Sequence, residues 1–243
     1  PASLHDKDLA LEEARWFWAS VNRPNLLVEI PVAAALLSTI EQAVAEGINI
    51  HAAGIFSLER YADVFEAYVR GLEARRARGD SLEHVASVAS FSLARLDDHL
   101  DRRLTELSAR GGSEGERAES LRRRSGVALA KLAHAQFRAA IAADRFLLLA
   151  ERGARPQRLM WSTGASGEGG PDLATTLAEL AGAETVLSVP LEALPLGPWR
   201  GEDDAAVDRD LSAARGALEA LESLGISLSA VSDFLENEGL ARL

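Results

Sequence analysis

Cysteine is missing altogether from the 243 residues, which excludes disulfides and cysteinate metal sites. Lysine is nearly missing. Among 26 basic residues the only lysines are Lys7 and Lys131, so the basic surface is almost all arginine. Positive charge is in deficit overall: 37 acidic residues leave a net charge of −11. Neutralising phosphates needs a basic surface, so nucleic-acid binding is disfavoured, and so is docking on an anionic membrane. No apolar run approaches the roughly 18 residues of a spanning helix. The start carries no basic-then-apolar signal pattern. A soluble cytoplasmic protein is the expectation, and Pro1 is compatible with a mature start after methionine removal.

What is present is a core. Hydrophobic residues make up 47% of the chain, and its length fits one α/β barrel of about 250 residues. Segments of strand character alternate with helical periods, the pattern of βαβ units around a parallel sheet. Leu9, Ala10, Ala14, Phe17, Trp18 and Val21 recur at helical spacing, and Pro24 ends that run. Short apolar runs at 26–32, 48–56, 85–91, 157–162 and 185–189 read as strands covered on both faces. Helices are expected at 34–46 with Gly47 as its stop, from Ser57 onward with Ser57 as N-cap, and at 93–107. Others are expected at 125–152 as one long helix, and at 173–180, 208–224 and 229–240. The polar stretch 110–124 reads as a loop or a fraying helix start, 164–170 is glycine-rich, and the segment 190–204 reads as irregular. No repeat or Pro-rich linker divides residues 1–243, so one domain is expected. Five parallel strands leave two edges to be covered by packing, by another subunit or by further strands.

Several stretches together resemble the transaldolase family, of the bacterial type related to the transaldolase part of bifunctional transaldolase/glucose-6-phosphate isomerases. They are Asn22-Arg23-Pro24-Asn25-Leu26-Leu27, Glu46-Gly47-Ile48-Asn49, Ile55-Phe56-Ser57-Leu58-Glu59-Arg60-Tyr61, Val85 to Phe91 with Arg95, Gln157 to Trp161, Leu224-Gly225-Ile226 and Glu238-Gly239. The resemblance runs from about His5 to the end. It implies an incomplete TIM-type (β/α) barrel of about five parallel strands with surrounding helices. This corresponds to the C-terminal two-thirds of a (β/α)8 barrel, with the family's first three strands and their acidic residues preceding Pro1.

By the same resemblance, the family forms a Schiff base between a ketose carbonyl and a lysine in a Leu-Ile-Lys-Ile-Pro strand, and needs no cofactor. Here the strand reads Leu27-Val28-Glu29-Ile30-Pro31, so Glu29 stands at the lysine's position, and a carboxylate forms no imine. Where the family has Gly-Ile-Asn-x-Asn-x-Thr, this chain has His51 for the second Asn and Ala53 for the Thr. After the fourth strand, Ser162-Thr163-Gly164-Ala165-Ser166 lacks the lysine of related enzymes. Ser90 and Arg95 stand at the family's serine and phosphate-binding arginine, Arg158 also matches, and the resemblance makes these three the expected substrate- or phosphate-binding residues. Arginine offers a fixed fork of donors to phosphate oxygens.

The residues leave roles open. Glu29 is costly to bury unpaired. It is read as an ion pair or polar contact with Arg95, Arg158 or His51, as a general base with His51, or as half of a metal pair. Two ligands fall short of the usual three or four, so no metal site is assigned. Arg95 is a phosphate anchor or a partner of Asp97, Asp98 or Glu29. His5, His84, His99 and His134 are read as surface or packing residues. Pro1, a secondary amine, is one further candidate for an imine. Two functions follow. In the first the chain has lost Schiff-base transaldolase activity and serves as a binding, regulatory or subunit-completing protein. It then has a sugar-phosphate ligand and forms a homo-oligomer, or joins a partner chain supplying the missing strands. In the second it is an enzyme on sugar phosphates or related polyols, with a repurposed or partner-shared site around Glu29, His51 and Arg95.

Overall fold

The computed structural model describes residues 6–163, 173–191 and 206–242. Pro1, His5, the glycine-rich 164–170 and most of 190–204 lie outside the described residues. So does the Gly164-Ala165-Ser166 stretch.

Five strands form one parallel sheet in the order β1 (Val28–Pro31), β2 (Ile50–Ile55), β3 (Ser87–Ser92), β4 (Arg158–Ser162) and β5 (Thr185–Ser188). Each expected strand is present, shortened by a residue or more where the apolar run continues into a loop. This is the α/β architecture of a partial (β/α) barrel. Among the described residues β1 and β5 are its edges.

Residues paired in a parallel ladder point to the same face. One face carries Val28, Ile30, Ile50, Ala52, Ala89, Phe91, Leu159 and Trp161, all buried, and the helices cover it. Behind it Tyr61, Phe91 and Trp161 form a row of tilted rings with centroids 5.6 and 5.4 Å apart. The other face carries Glu29, His51, Ala53, Ser90 and Met160.

Helices join the strands: α1 (Lys7–Val21), α2 (Leu37–Glu46), α3 (Leu58–Ala77), α4 (Leu93–Ser108), α5 (Gly112–Leu121), α6 (Ser125–Ile141), α7 (Asp144–Ala150), α8 (Leu173–Glu179), α9 (Leu211–Ser223) and α10 (Leu228–Arg242). Gly47 ends α2 at φ 85°, a conformation that costs glycine little. The Ser57 hydroxyl accepts from the Arg60 N–H at 3.1 Å and caps α3. Gly71 lets α3 lie against α2: a Cβ there would meet the Glu41 carbonyl oxygen at 2.6 Å.

Three expectations need correction. The polar stretch 110–124 contains a helix, α5. It buries the small Gly115 and Ala118 with Leu121 at helical spacing, and shows no broad apolar stripe. The long helix expected over 125–152 is two helices, because Ala143 is extended (φ −72°, ψ 142°) and no Gly or Pro announces the break. In α1 the buried row is Ala10, Leu11 and Ala14, while Leu9, Trp16, Phe17 and Val21 face outward.

Asp97 of α4 ties that helix to α6. Its carboxylate accepts the Gly126 N–H at 2.8 Å, satisfying a donor in the first turn of α6. Burial pushes its pKa up from 3.8 to about 7, against the lowering effect of that hydrogen bond. A raised acid pKa favours the fold while the group is protonated. This contribution is complete below about pH 4, the unfolded value, and is lost as pH rises through about 7. Denaturant melts of the parent should therefore lose stability between these limits, and Asp97→Asn should flatten that slope. An unchanged slope in the variant would refute the assignment.

Candidate functional site at the C-terminal rim of the sheet

Ligands of parallel α/β proteins sit beyond the C-terminal ends of the strands. A cavity of about 280 Å³ lies there, above β1, β2 and β3. Its walls include Glu29, Pro31, Ala53, Gly54, Ser92 and Arg95, and residues of α10 also line it. Gly54 marks an irregularity in the β2–β3 ladder, where Ala53 pairs with Ser90 but Ile55 pairs with Phe91. It takes φ 87°, and a Cβ there would meet no atom within 4 Å. Such bulges re-aim backbone beside sites.

Glu29 pairs with His51 in the β1–β2 ladder, so their side chains emerge side by side. Glu29 Oε2 lies 3.1 Å from His51 Nδ1, and His51 Nε2 lies 2.8 Å from Ser90 Oγ. Exposure rises along this row: Ser90 is 4% exposed, the His51 side chain 18% and the Glu29 side chain 56%. The hydrogen bond from His51 holds the Glu29 carboxyl below its ordinary 4.5, outweighing the opposing effect of partial burial. Of the partners considered for Glu29, the structure selects His51.

Arg95 sits in the first turn of α4 and turns toward α10. Its Nη2 donates to Glu238 Oε2 at 3.2 Å and to the Leu235 carbonyl at 3.4 Å, and the guanidinium lies 5.2 Å from the Phe56 ring centroid. Its ion-pair partner is thus Glu238, in place of Asp97, Asp98 or Glu29. A second arginine, Arg60, holds Glu236 of α10 at 3.1 Å with both groups largely covered. Together these pairs seat α10 over the rim.

Arg158 is not brought to this cavity. It is the first residue of β4, beside a separate cavity of about 530 Å³ lined also by Asn25, Asn49, Arg155 and Glu184. Four residue steps along a strand put the two ends ~13 Å apart. The two lysines lie elsewhere as well. Lys7 is exposed in α1, and Lys131 is buried in α6 with its amine 3.4 Å from Glu179. His134, expected as a surface or packing residue, is fully buried. Its Nδ1 lies 2.6 Å from Asp208 and its Nε2 3.1 Å from the Ala183 carbonyl. Among the described residues no group of three or more His, Asp or Glu side chains converges as a metal site.

Sequence reasoning missed Gly54, Phe56, Ser92, Leu235 and Glu236 as cavity residues. No local pattern marks Glu236, because the cover on Arg60 that calls for an acidic partner exists only in the fold. Among the described residues no helix is long and apolar enough to cross a membrane.

The Glu29–His51 bond has a direct readout. Carboxyl NMR of Glu29 should give a midpoint below 4.5, and His51→Phe should raise it. An identical midpoint in both proteins would remove the bond.

Comparison with known proteins places these features. The family model described as transaldolase/fructose-6-phosphate aldolase matches residues 1–242. A transaldolase of Thermobifida fusca is 37% identical over 243 residues, covering 99% of this chain and 64% of that protein. One of Saccharopolyspora erythraea is 37% identical over 247 residues, covering 99% and 64%. One of Mycobacterium tuberculosis is 35% identical over 249 residues, covering 100% and 64%. The chain thus spans 64% of the length of these relatives. With a whole-chain family match and a parallel sheet bearing its candidate cavity at the C-terminal rim, this chain belongs to the transaldolase/fructose-6-phosphate aldolase family.

Proposed function

We propose that this chain binds a sugar phosphate at the C-terminal rim without forming the imine of transaldol chemistry. The observation that carries this reading is Glu29. It lines the cavity at the position where the family resemblance puts a lysine, and it is engaged by His51. An imine needs an amine at the ketose carbonyl. Lys7 and Lys131 both sit on helices outside the cavity lining. Arg95 supplies a planar cation on the cavity wall, and a phosphate there competes with Glu238 for it.

Borohydride reduction in the presence of fructose 6-phosphate should leave the protein mass unchanged. A reduced adduct on Lys7, Lys131 or Pro1 would overturn this reading. Inorganic phosphate or fructose 6-phosphate should raise the melting temperature by ligand linkage, and Arg95→Ala should abolish the rise. An equal rise in the variant would exclude Arg95 as the anchor.

The same cavity supports a second reading, acid–base chemistry on sugar phosphates or related polyols. The Glu29–His51 contact favours it, since a carboxylate and an imidazole can divide such work. Solvent deuterium entering fructose 6-phosphate only in the presence of the protein would distinguish it from binding alone.

The reading extends to self-association. Among the described residues β1 is an edge of the sheet, and α1, which touches β1, turns Trp16, Phe17 and Val21 outward, with Leu27 exposed before the strand. Exposed apolar rows and unpaired edges are surfaces that proteins normally cover. A second copy, or a chain bringing further strands, would bury both. Light scattering should report a dimer or larger species, and Trp16→Glu should shift it toward monomer. A parent that is monomeric throughout the micromolar range would refute self-association.

A further inference from the structure

Three side chains from three neighbouring strands form one unbroken row: Ser90 Oγ, His51 and Glu29 Oε2, with contacts of 2.8 and 3.1 Å. A hydroxyl, a base within hydrogen-bonding reach, and a third group orienting that base are the signature of an activated nucleophile. That signature is recognised by geometry and role, independent of fold or residue order. Glu29, held below the ordinary carboxylic range, is an acceptor only. In neutral His51 the ring proton therefore sits on Nδ1, donated to Glu29. Nε2 then presents its lone pair to Ser90, whose hydroxyl donates to it.

Ser90 is not itself among the residues lining the rim cavity and stands one ladder step from one that is. Its neighbours are Ala53 on β2 and Met160 on β4. Ala53 lines the 280 Å³ cavity, and a methyl group there leaves more room than any larger side chain would. At 4% exposure Ser90 admits only a slender electrophile.

We propose that Ser90 is a nucleophile toward esters of short carboxylic acids, with His51 as its general base and Glu29 as the residue that fixes the His51 tautomer. Oγ forms a bond to the acyl carbon while its proton passes to His51 Nε2. The C–O bond to the leaving alcohol breaks, and His51 returns the proton to that alcohol. Water then adds to the acyl carbon, gives its proton to His51, and releases the acid as Ser90 recovers its hydrogen. Atoms balance as an ester plus water giving an acid plus an alcohol, with no redox change. This activity goes beyond sugar-phosphate binding and requires neither Arg95 nor phosphate.

The test uses the whole chain with p-nitrophenyl acetate and, separately, with a small fluorophosphonate that labels activated serines. Nitrophenolate release is expected with an acetyl group on Ser90, located by peptide mass mapping, and the fluorophosphonate should label the same residue. Ser90→Ala should lose both signals. His51→Gln should slow acylation about 10²-fold or more, the scale of a lost general base. Glu29→Gln should slow it less while leaving the melting temperature near the parent's. Label on any residue other than Ser90, or equal rates in Ser90→Ala, would overturn the proposal. Should Ser90→Ala fail to fold, an unlabelled Ser90 in the parent would overturn it alone. A melting rise with phosphate alongside an inert Ser90 would sink this inference and spare the binding reading.

Discussion

The parallel ladder register is the constraint on which the site depends. Backbone hydrogen bonds fix Glu29 opposite His51 and Ala53 opposite Ser90. A slip of one residue would turn Glu29 into the apolar layer and Val28 or Ile30 out of it. The buried row of Val28, Ile30, Ile50 and Ala52 resists that slip, since each loses contact with the helices if the strand shifts. The entries to the strands are pinned as well. Asn49 donates to the Pro24 carbonyl at 3.1 Å and accepts from the Ala86 N–H at 2.8 Å, joining the approaches to β1, β2 and β3. Ser87 and Gln157 continue this linkage toward β4, through bonds of 3.0 and 2.8 Å. The framework motifs therefore serve the register, and the register delivers side chains to the rim.

That division explains how a site can change while its frame persists. Glu29, His51 and Ala53 all stand on the face opposite the buried apolar layer, with α10 at its rim. Replacing residues on that face spares the buried apolar layer on the other, so its chemistry can alter at little cost to the fold. The three positions are nonetheless coupled to one another. A carboxylate at position 29 is stabilised by a hydrogen-bond donor beside it, and His51 on the next strand is in register to supply one. A short Ala53 leaves space next to Ser90, the other partner of the same imidazole. Glu29, His51 and Ser90 thus form one local hydrogen-bonded unit, with Ala53 beside it.

Much of the fold was legible because its signals are strong and local. Short β-rich apolar runs with helical periods between them located all five strands, and Ser57 and Gly47 cap their helices as their chemistry dictates. Less legible were α5, which packs on small residues, and the α6–α7 break, which is written in alanine. Composition carries no mark of either, because tertiary packing decides them. In the site, the Glu29–His51 contact was among the readings the residues allowed, since adjacent strands of similar length put like positions side by side. Arg158 was misleading for a geometric reason. Its motif places it on the right strand, and only the strand's polarity shows that it stands at the wrong end for the rim cavity.

The helix α10 adds a longer-range constraint that local patterns do not reveal. Nearly 180 residues separate Arg60 from Glu236, at |i−j| = 176, yet their ion pair is among the most covered in the structure. A covered pair stabilises only weakly against an apolar alternative, but breaking it leaves a charge stranded. Its consequence is therefore positional: α10 is held where Leu235, Glu236 and Gly239 close one side of the cavity. Gly239 sits close enough that an added Cβ would lie 3.4 Å from Arg95 Nη1. The guanidinium is thus bounded by Phe56, by Glu238 and by a helix that carries no side chain at position 239. A ligand oxyanion reaching Arg95 must share it with Glu238 or displace that carboxylate, and this makes the acidic helix a direct competitor for any anion that the rim accepts.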